Sequence, residues 1–119
     1  MRTLDQFNVF CASLPAATHV VQWGGADVWK VGGKVFAIGS CNDGALAVTF
    51  KVSPMAFEIL KNEPGLRGAP YLASRGLLWI QHYAAPGLAD AELKSHIRAS
   101  YDMIAASLSR RKRQELGIG

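Results

Sequence analysis

The sequence has little cysteine, no apolar run of membrane-spanning length and none of the short motifs that mark an enzyme. Its two cysteines, Cys11 and Cys41, stand thirty positions apart with no histidine nearby at metal-ligand spacing. That pattern fits two reduced thiols better than a disulfide framework or a metal pair. Glycine, proline or charge interrupts every apolar run well short of the ~20 residues that a spanning helix needs. The opening Met1-Arg2-Thr3-Leu4-Asp5-Gln6 meets an acid early and has no apolar segment after it. No signal peptide is therefore expected, and the expected compartment is the cytoplasm.

Catalytic patterns are missing as well. Gly24-Gly25 and Gly32-Gly33 are not followed by a helix whose N-terminus could hold phosphate. There is no serine elbow and no HExxH. His19, His82 and His96 fall on three separate predicted elements, where a lone histidine is usually a hydrogen-bonded structural residue. Asp90 and Glu92 sit close together, but where first-turn acids favour a helix dipole. An enzyme would require His82, Arg75 and a carboxylate to converge. The expectation is a protein with no catalytic residues, no cofactor and no metal.

What is present is a pattern of strands between helices. In Ala45 to Val52, the residues Leu46, Val48, Phe50 and Val52 alternate with Ala45, Ala47, Thr49 and Lys51, the period of a half-buried strand. Gly32-Gly33 separates two apolar-alternating runs and predicts a tight hairpin, since glycine accepts the positive φ such turns require. Asn42-Asp43-Gly44 predicts a longer turn. Val28 to Val52 thus reads as an antiparallel meander with a solvated face carrying Lys30, Lys34 or Lys51.

A first helix is predicted over 3–14, with Thr3 and Gln6 as a capping box and Pro15 as its stop. His19 to Trp23 reads as a short strand. Ser53-Pro54 starts a helix running to about Lys61, with Met55, Ile59 and Leu60 on its buried side. Residues 66–76 read as a loop or short helical turn, and Leu77 to Tyr83 as a strand. The last helix runs over 90–108, on a stripe of Leu93, Ile97, Tyr101, Ile104 and Leu108. With no repeat and no long linker, residues 1–119 read as one α+β domain, a short basic extension closing it at 109–119. Its antiparallel sheet carries the N- and C-terminal helices on one face.

Charge is distributed unevenly. The chain carries 13 Lys and Arg against 9 Asp and Glu, and Arg110, Arg111, Lys112 and Arg113 supply the whole excess. This cluster reads either as a solvated helix end or as a phosphate-binding patch. Between Val28 and Tyr83 there are six basic residues and three acids, interleaved with Trp29, Tyr71 and Trp79. A basic sheet face with exposed aromatics could follow a nucleic-acid backbone. The other reading is an apolar patch or pocket of Trp23, Trp29, Tyr71 and Trp79 that takes a protein or a small ligand.

Several segments carry a family likeness. They are Leu14-Pro15-Ala16-Ala17, Trp29-Lys30-Val31-Gly32-Gly33-Lys34-Val35-Phe36-Ala37 and Phe50-Lys51-Val52-Ser53-Pro54. Gly65-Leu66-Arg67-Gly68-Ala69-Pro70-Tyr71-Leu72, Leu78-Trp79-Ile80 and Ala99-Ser100-Tyr101 come next in order. Together they resemble the MmcQ/YjbR family of small bacterial proteins over nearly the whole chain. The resemblance implies a CyaY-like α+β fold, a double-wing arrangement and DNA binding. Frataxin-like proteins of that fold are similar in using an acidic first helix for iron, whereas the first helix here has only Asp5. The expected role is binding of double-stranded DNA, without enzymatic activity, by a monomer or weak dimer. Lys30, Lys34, Lys51, Arg67 and Arg75 are the expected phosphate contacts, and Arg110, Arg111, Lys112 and Arg113 an auxiliary patch.

Overall fold

The structure is a computed structural model of residues 1–119, and it describes all of them except Asp43, Tyr71 and residues 73–76. The chain runs α1 (Leu4–Ala12), β1 (Thr18–Gln22), β2 (Ala26–Val31), β3 (Lys34–Asn42), β4 (Ala45–Lys51), α2 (Pro54–Leu60), β5 (Leu66–Gly68), β6 (Trp79–His82), α3 (Asp90–Ser107) and α4 (Arg110–Leu116). The six strands form one antiparallel sheet in the order β1-β2-β3-β4-β6-β5. Helices α1 and α3 cover one face, so the expected α+β architecture is observed.

Local chemistry fixes the helix starts. The Thr3 hydroxyl accepts the Gln6 N–H at 3.1 Å, and the Gln6 side chain accepts the Thr3 N–H at 3.3 Å, closing the capping box. Ser53 caps α2 through the Ala56 N–H, with Pro54 at the first helical position. The inner face of α1 buries Phe7 and Cys11. Beneath Phe7 the sheet has Gly39, where any Cβ would run into the phenyl ring. The close approach of α1 depends on that glycine.

Register carries the helix-covered face across the sheet in lines. One line is His19, Trp29, Ala37, Phe50, Ile80 and Gly68. Phe36 is the exception: the β2–β3 register slips between Trp29 and Lys30, leaving Phe36 as an extra residue in β3. The bulge turns Phe36 into the core, edge-on to Tyr101 of α3 at 5.3 Å between ring centroids. Ser100, fully buried on α3, serves the broken ladder. Its hydroxyl donates to the Phe36 carbonyl at 2.7 Å and accepts the Lys51 N–H at 2.9 Å. The Tyr101 hydroxyl donates to the Pro15 carbonyl, tying α3 to the chain beyond α1.

Each histidine is held by packing or hydrogen bonding within the fold. Nε2 of His82 accepts the Leu88 N–H at 2.9 Å, and burial holds the ring's pKa below the usual histidine range. His96 stacks on Phe50, its centroid 5.5 Å away, and burial lowers its pKa too, partly offset by Glu92. His19 bonds to Asp27 Oδ1 at 2.5 Å and lies against Trp29.

Several sequence expectations change. Leu66–Gly68 is the edge strand β5 rather than loop or helical turn, and the basic extension contains the helix α4. Cys41 lies in β3. Met55 and Ile59 of α2 point outward, 76% and 58% exposed, while Leu60 is buried with Ala56 and Phe57 packed beside it. The Asn42-Asp43-Gly44 turn falls partly on Asp43, outside the described residues.

Replacing Ser100 with alanine leaves a buried carbonyl and a buried N–H unpaired. Ser100→Ala should lower unfolding free energy by about 2–3 kcal/mol, read from urea titration; a loss below about 0.5 kcal/mol would show that both groups find other partners. The depressed histidines set a pH dependence. Above the unfolded value of about 6.5, native and unfolded rings are both neutral and stability is complete. As pH falls below it, the unfolded chain takes up protons first and stability declines. The urea midpoint should therefore be lower at about pH 5.5 than at about pH 7.5, and His82→Gln should shrink that difference. An undiminished difference in the variant would exclude His82 as a cause.

Candidate nucleic-acid interface

The expected basic face has to be located against the layers. Opposite the helices, register places Val20, Val28, Ile38, Thr49, Gln81 and Arg67 in one line. The middle of this face is not a solvated lysine surface. Val28 and Thr49 are buried, as is Ala47 on the same face of β4. A hollow of about 450 Å³, mainly apolar, lies between Trp23, Ile38, Thr49, Leu72 and Gln81. Trp23 comes directly after β1 at φ 51°, within the turn rather than the strand, and is 64% exposed at the hollow's edge.

The cations distribute around that hollow. Arg67, on the edge strand β5, donates from Nε to Gln81 at 2.8 Å and stacks over the Tyr83 ring at 4.3 Å. It is half-buried and already engaged. Lys30 and Lys51 lie on the same face as Arg67, but nearer the Gly32-Gly33 turn, and both are half-buried. Lys34 is exposed on the other side of the turn. Its ammonium donates to the Ser107 hydroxyl at 3.2 Å, at the end of α3.

That last contact reveals an arrangement the sequence did not. Leu108, immediately after α3, packs against the turn so closely that a Cβ on Gly32 would meet its Cδ1 at 2.6 Å. Ser109 then caps α4 by accepting the Lys112 N–H at 3.1 Å. The β2–β3 turn and the start of the basic helix α4 are thereby held close together. Arg110, Arg111 and Lys112 are exposed there. Arg111 pairs with Glu115 at 3.4 Å, across one helical turn and in solvent, an interaction that leaves it available. Arg113 is half-buried, with an Nε that finds no partner among the described residues.

The expected sheet-face site is therefore divided. Lys34 lies on the helix side beside the end of α3, Lys30 and Lys51 lie on the free face, Arg67 sits apart, and Arg75 lies outside the described residues. The aromatic patch is divided too. Trp23 is on the free face, and Trp79 shares that face with Lys51 by register. Trp29 is buried against α1, donating from Nε1 to Asn8 Oδ1 at 2.9 Å. Tyr71 lies outside the described residues. Of the groups an enzyme would require, His82 accepts the Leu88 N–H at Nε2, and Arg75 lies outside the described residues. No group of three or more metal-ligating side chains occurs among the described residues, and no helix is long and apolar enough to cross a membrane.

Comparison with known proteins agrees with this architecture. The chain is similar to the Deinococcus radiodurans protein DR2400, whose domain is described as DUF419. That match has 22% identity and a TM-score of 0.86, over 100% of this chain and 91% of that one. A Pseudomonas syringae protein is similar at 18% identity and a TM-score of 0.70, over 86% of this chain and 98% of the other. No curated protein matches. The model of the YjbR family matches residues 12–103, from the end of α1 through most of α3, and the chain belongs to the YjbR family.

Proposed function

We propose that this protein binds double-stranded DNA without sequence preference and without catalysis, in the cytoplasm, using the end that holds the β2–β3 turn and α4. The observation that supports it most is the packing of Leu108 on Gly32, with Lys34 on Ser107. These contacts seat the hairpin tip beside the start of the basic helix, and in this reading the two form one cationic surface. The tip, flanked by Lys30 and Lys34, is the part of the chain able to enter a groove as a wing. Arg110, Arg111 and Lys112 would lie along the adjoining phosphates. Contacts of this kind release counterions and carry no base information, so affinity depends on salt.

A second reading rests on a separate observation, the apolar hollow beside Trp23. Its size and lining suit a small, mainly apolar ligand. Trp23→Ala would weaken such a ligand and leave DNA binding unchanged.

The direct test is fluorescence anisotropy with a labelled random duplex, titrated at low and then physiological salt. Binding should be tight at low salt and fall steeply with salt, by about 0.9 log units per log unit for each phosphate contacted. Arg110→Glu/Arg111→Glu/Lys112→Glu should weaken low-salt binding at least about tenfold and flatten the salt slope by roughly one per lost contact. Lys34→Glu should act in the same direction, whereas Arg67→Gln should have little effect. Absence of binding at low salt, or a triple variant that binds like the parent chain, would remove DNA as the partner of this surface.

A further inference from the structure

The two edges of the sheet are unlike. The β5 edge is three residues long and carries Arg67, features that discourage further pairing. The β1 edge is five residues, Thr18-His19-Val20-Val21-Gln22, with no Lys, Arg, Asp, Glu or proline. It pairs with β2 in unbroken register, so no bulge twists it away. Four of its five residues are exposed, which leaves its outer backbone open to solvent. Exposed apolar side chains also concentrate here. Val20, Val21 and the adjacent Trp23 are three of the seven large exposed hydrophobics among the described residues, Val21 being 58% exposed.

We infer that β1 is a homodimer interface, in which two copies of this chain join their sheets edge to edge through antiparallel β1 strands. The sequence of the strand selects a second copy over an unrelated strand, because a two-fold axis through Val20 makes it self-complementary. Val20 then faces the second copy's Val20 on the free side of the sheet. Thr18 faces the second copy's Gln22 on that side, hydroxyl against amide. On the helix side His19 faces the second copy's Val21. No two lysines, arginines or acids meet, and each valine is opposed by a valine or by the His19 ring. His19 is already pinned by Asp27 and Trp29, so the helix-side register costs little further ordering. A single strand pair buries modest area, and the dimer is weak and concentration-dependent. The inference is independent of DNA binding, since no residue of the turn end takes part.

Sedimentation analysis of the whole protein over a concentration series tests it, with cysteine crosslinking as the second measurement. Average mass should rise from the monomer toward twice the chain mass. Val20→Lys/Val21→Lys should abolish that rise while leaving the circular dichroism spectrum unchanged. Directly opposed residues of an antiparallel pair have Cα atoms about 4.5–5.5 Å apart, within disulfide range. Val20→Cys in a Cys41→Ser background should therefore link two copies under mild oxidation. Thr18→Cys, offset from its own copy by about 13 Å along the strands, should not. Cys11 stays silent because it is buried and its thiol pKa is pushed up. A monomer at every concentration overturns the proposal. So does a dimer that survives the double lysine substitution, or Thr18→Cys linking as readily as Val20→Cys.

Discussion

Ser100 holds together parts of the chain that local sequence cannot connect. An extra residue in β3 breaks the ladder and leaves the Phe36 carbonyl and the Lys51 N–H facing the core. Unpaired, each would cost on the order of 1–3 kcal/mol. A side chain able both to donate and to accept is required at that point, and a hydroxyl is the smallest that does so. Only a small residue lets α3 lie close enough for Phe36 and Tyr101 to meet edge to face. The bulge, the helix position and the buried hydroxyl thus determine one another. Lose one and the others lose their reason.

The position of α3 then fixes the course of the chain beyond it. With Ser100 seated on β3 and β4, two further turns of helix carry Ser107 and Leu108 to the β2–β3 turn, where Gly32 makes room for the leucine. The chain can enter α4 only from there. The closeness of Lys34 to the end of α3 and the start of α4 is therefore a consequence of core packing, although Lys34 is not itself part of the core. A basic segment that composition describes only as excess charge is thus tied to the hairpin turn through an apolar contact.

The legible parts of the sequence were those written in local chemistry. The capping box of α1, the Ser-Pro start of α2, the alternation in β4 and the stripe of α3 each depend on residues within one or two turns. The parts that escaped depend on residues distant in sequence. Leu66–Gly68 is too short to show a period and becomes a strand only because β6 offers it an edge. Met55 and Ile59 have core-like spacing, but α2 is a single short helix, and of the three expected residues the core receives only Leu60. Thr49 and Ala47 alternate with the core residues of β4 and so read as solvated, yet both are buried. For the site, the cationic residue types were readable and their grouping was not. The bond from Lys34 to Ser107 spans most of the chain, and no spacing rule announces it.

The three surfaces left on the molecule differ in how strongly the fold constrains them. The apolar hollow combines strand residues, Ile38, Thr49 and Gln81, with Trp23 of the β1–β2 turn and Leu72 beyond β5, so strand alternation supplies only part of its lining. The turn end is more constrained, because Gly32 and Leu108 must both be present to hold it. The β1 edge is the least supported from within. Its strand has a partner on one side only, reinforced by side-chain bonds from His19 to Asp27 and from Thr18 to the Lys30 carbonyl. An edge strand that is uncharged, unbulged and rich in valine gains most from a further partner, and it exposes most if it has none. That imbalance between the two sheet edges is a physical reason to expect pairing there. The opposite edge, with its three residues and its engaged arginine, offers a further strand far less.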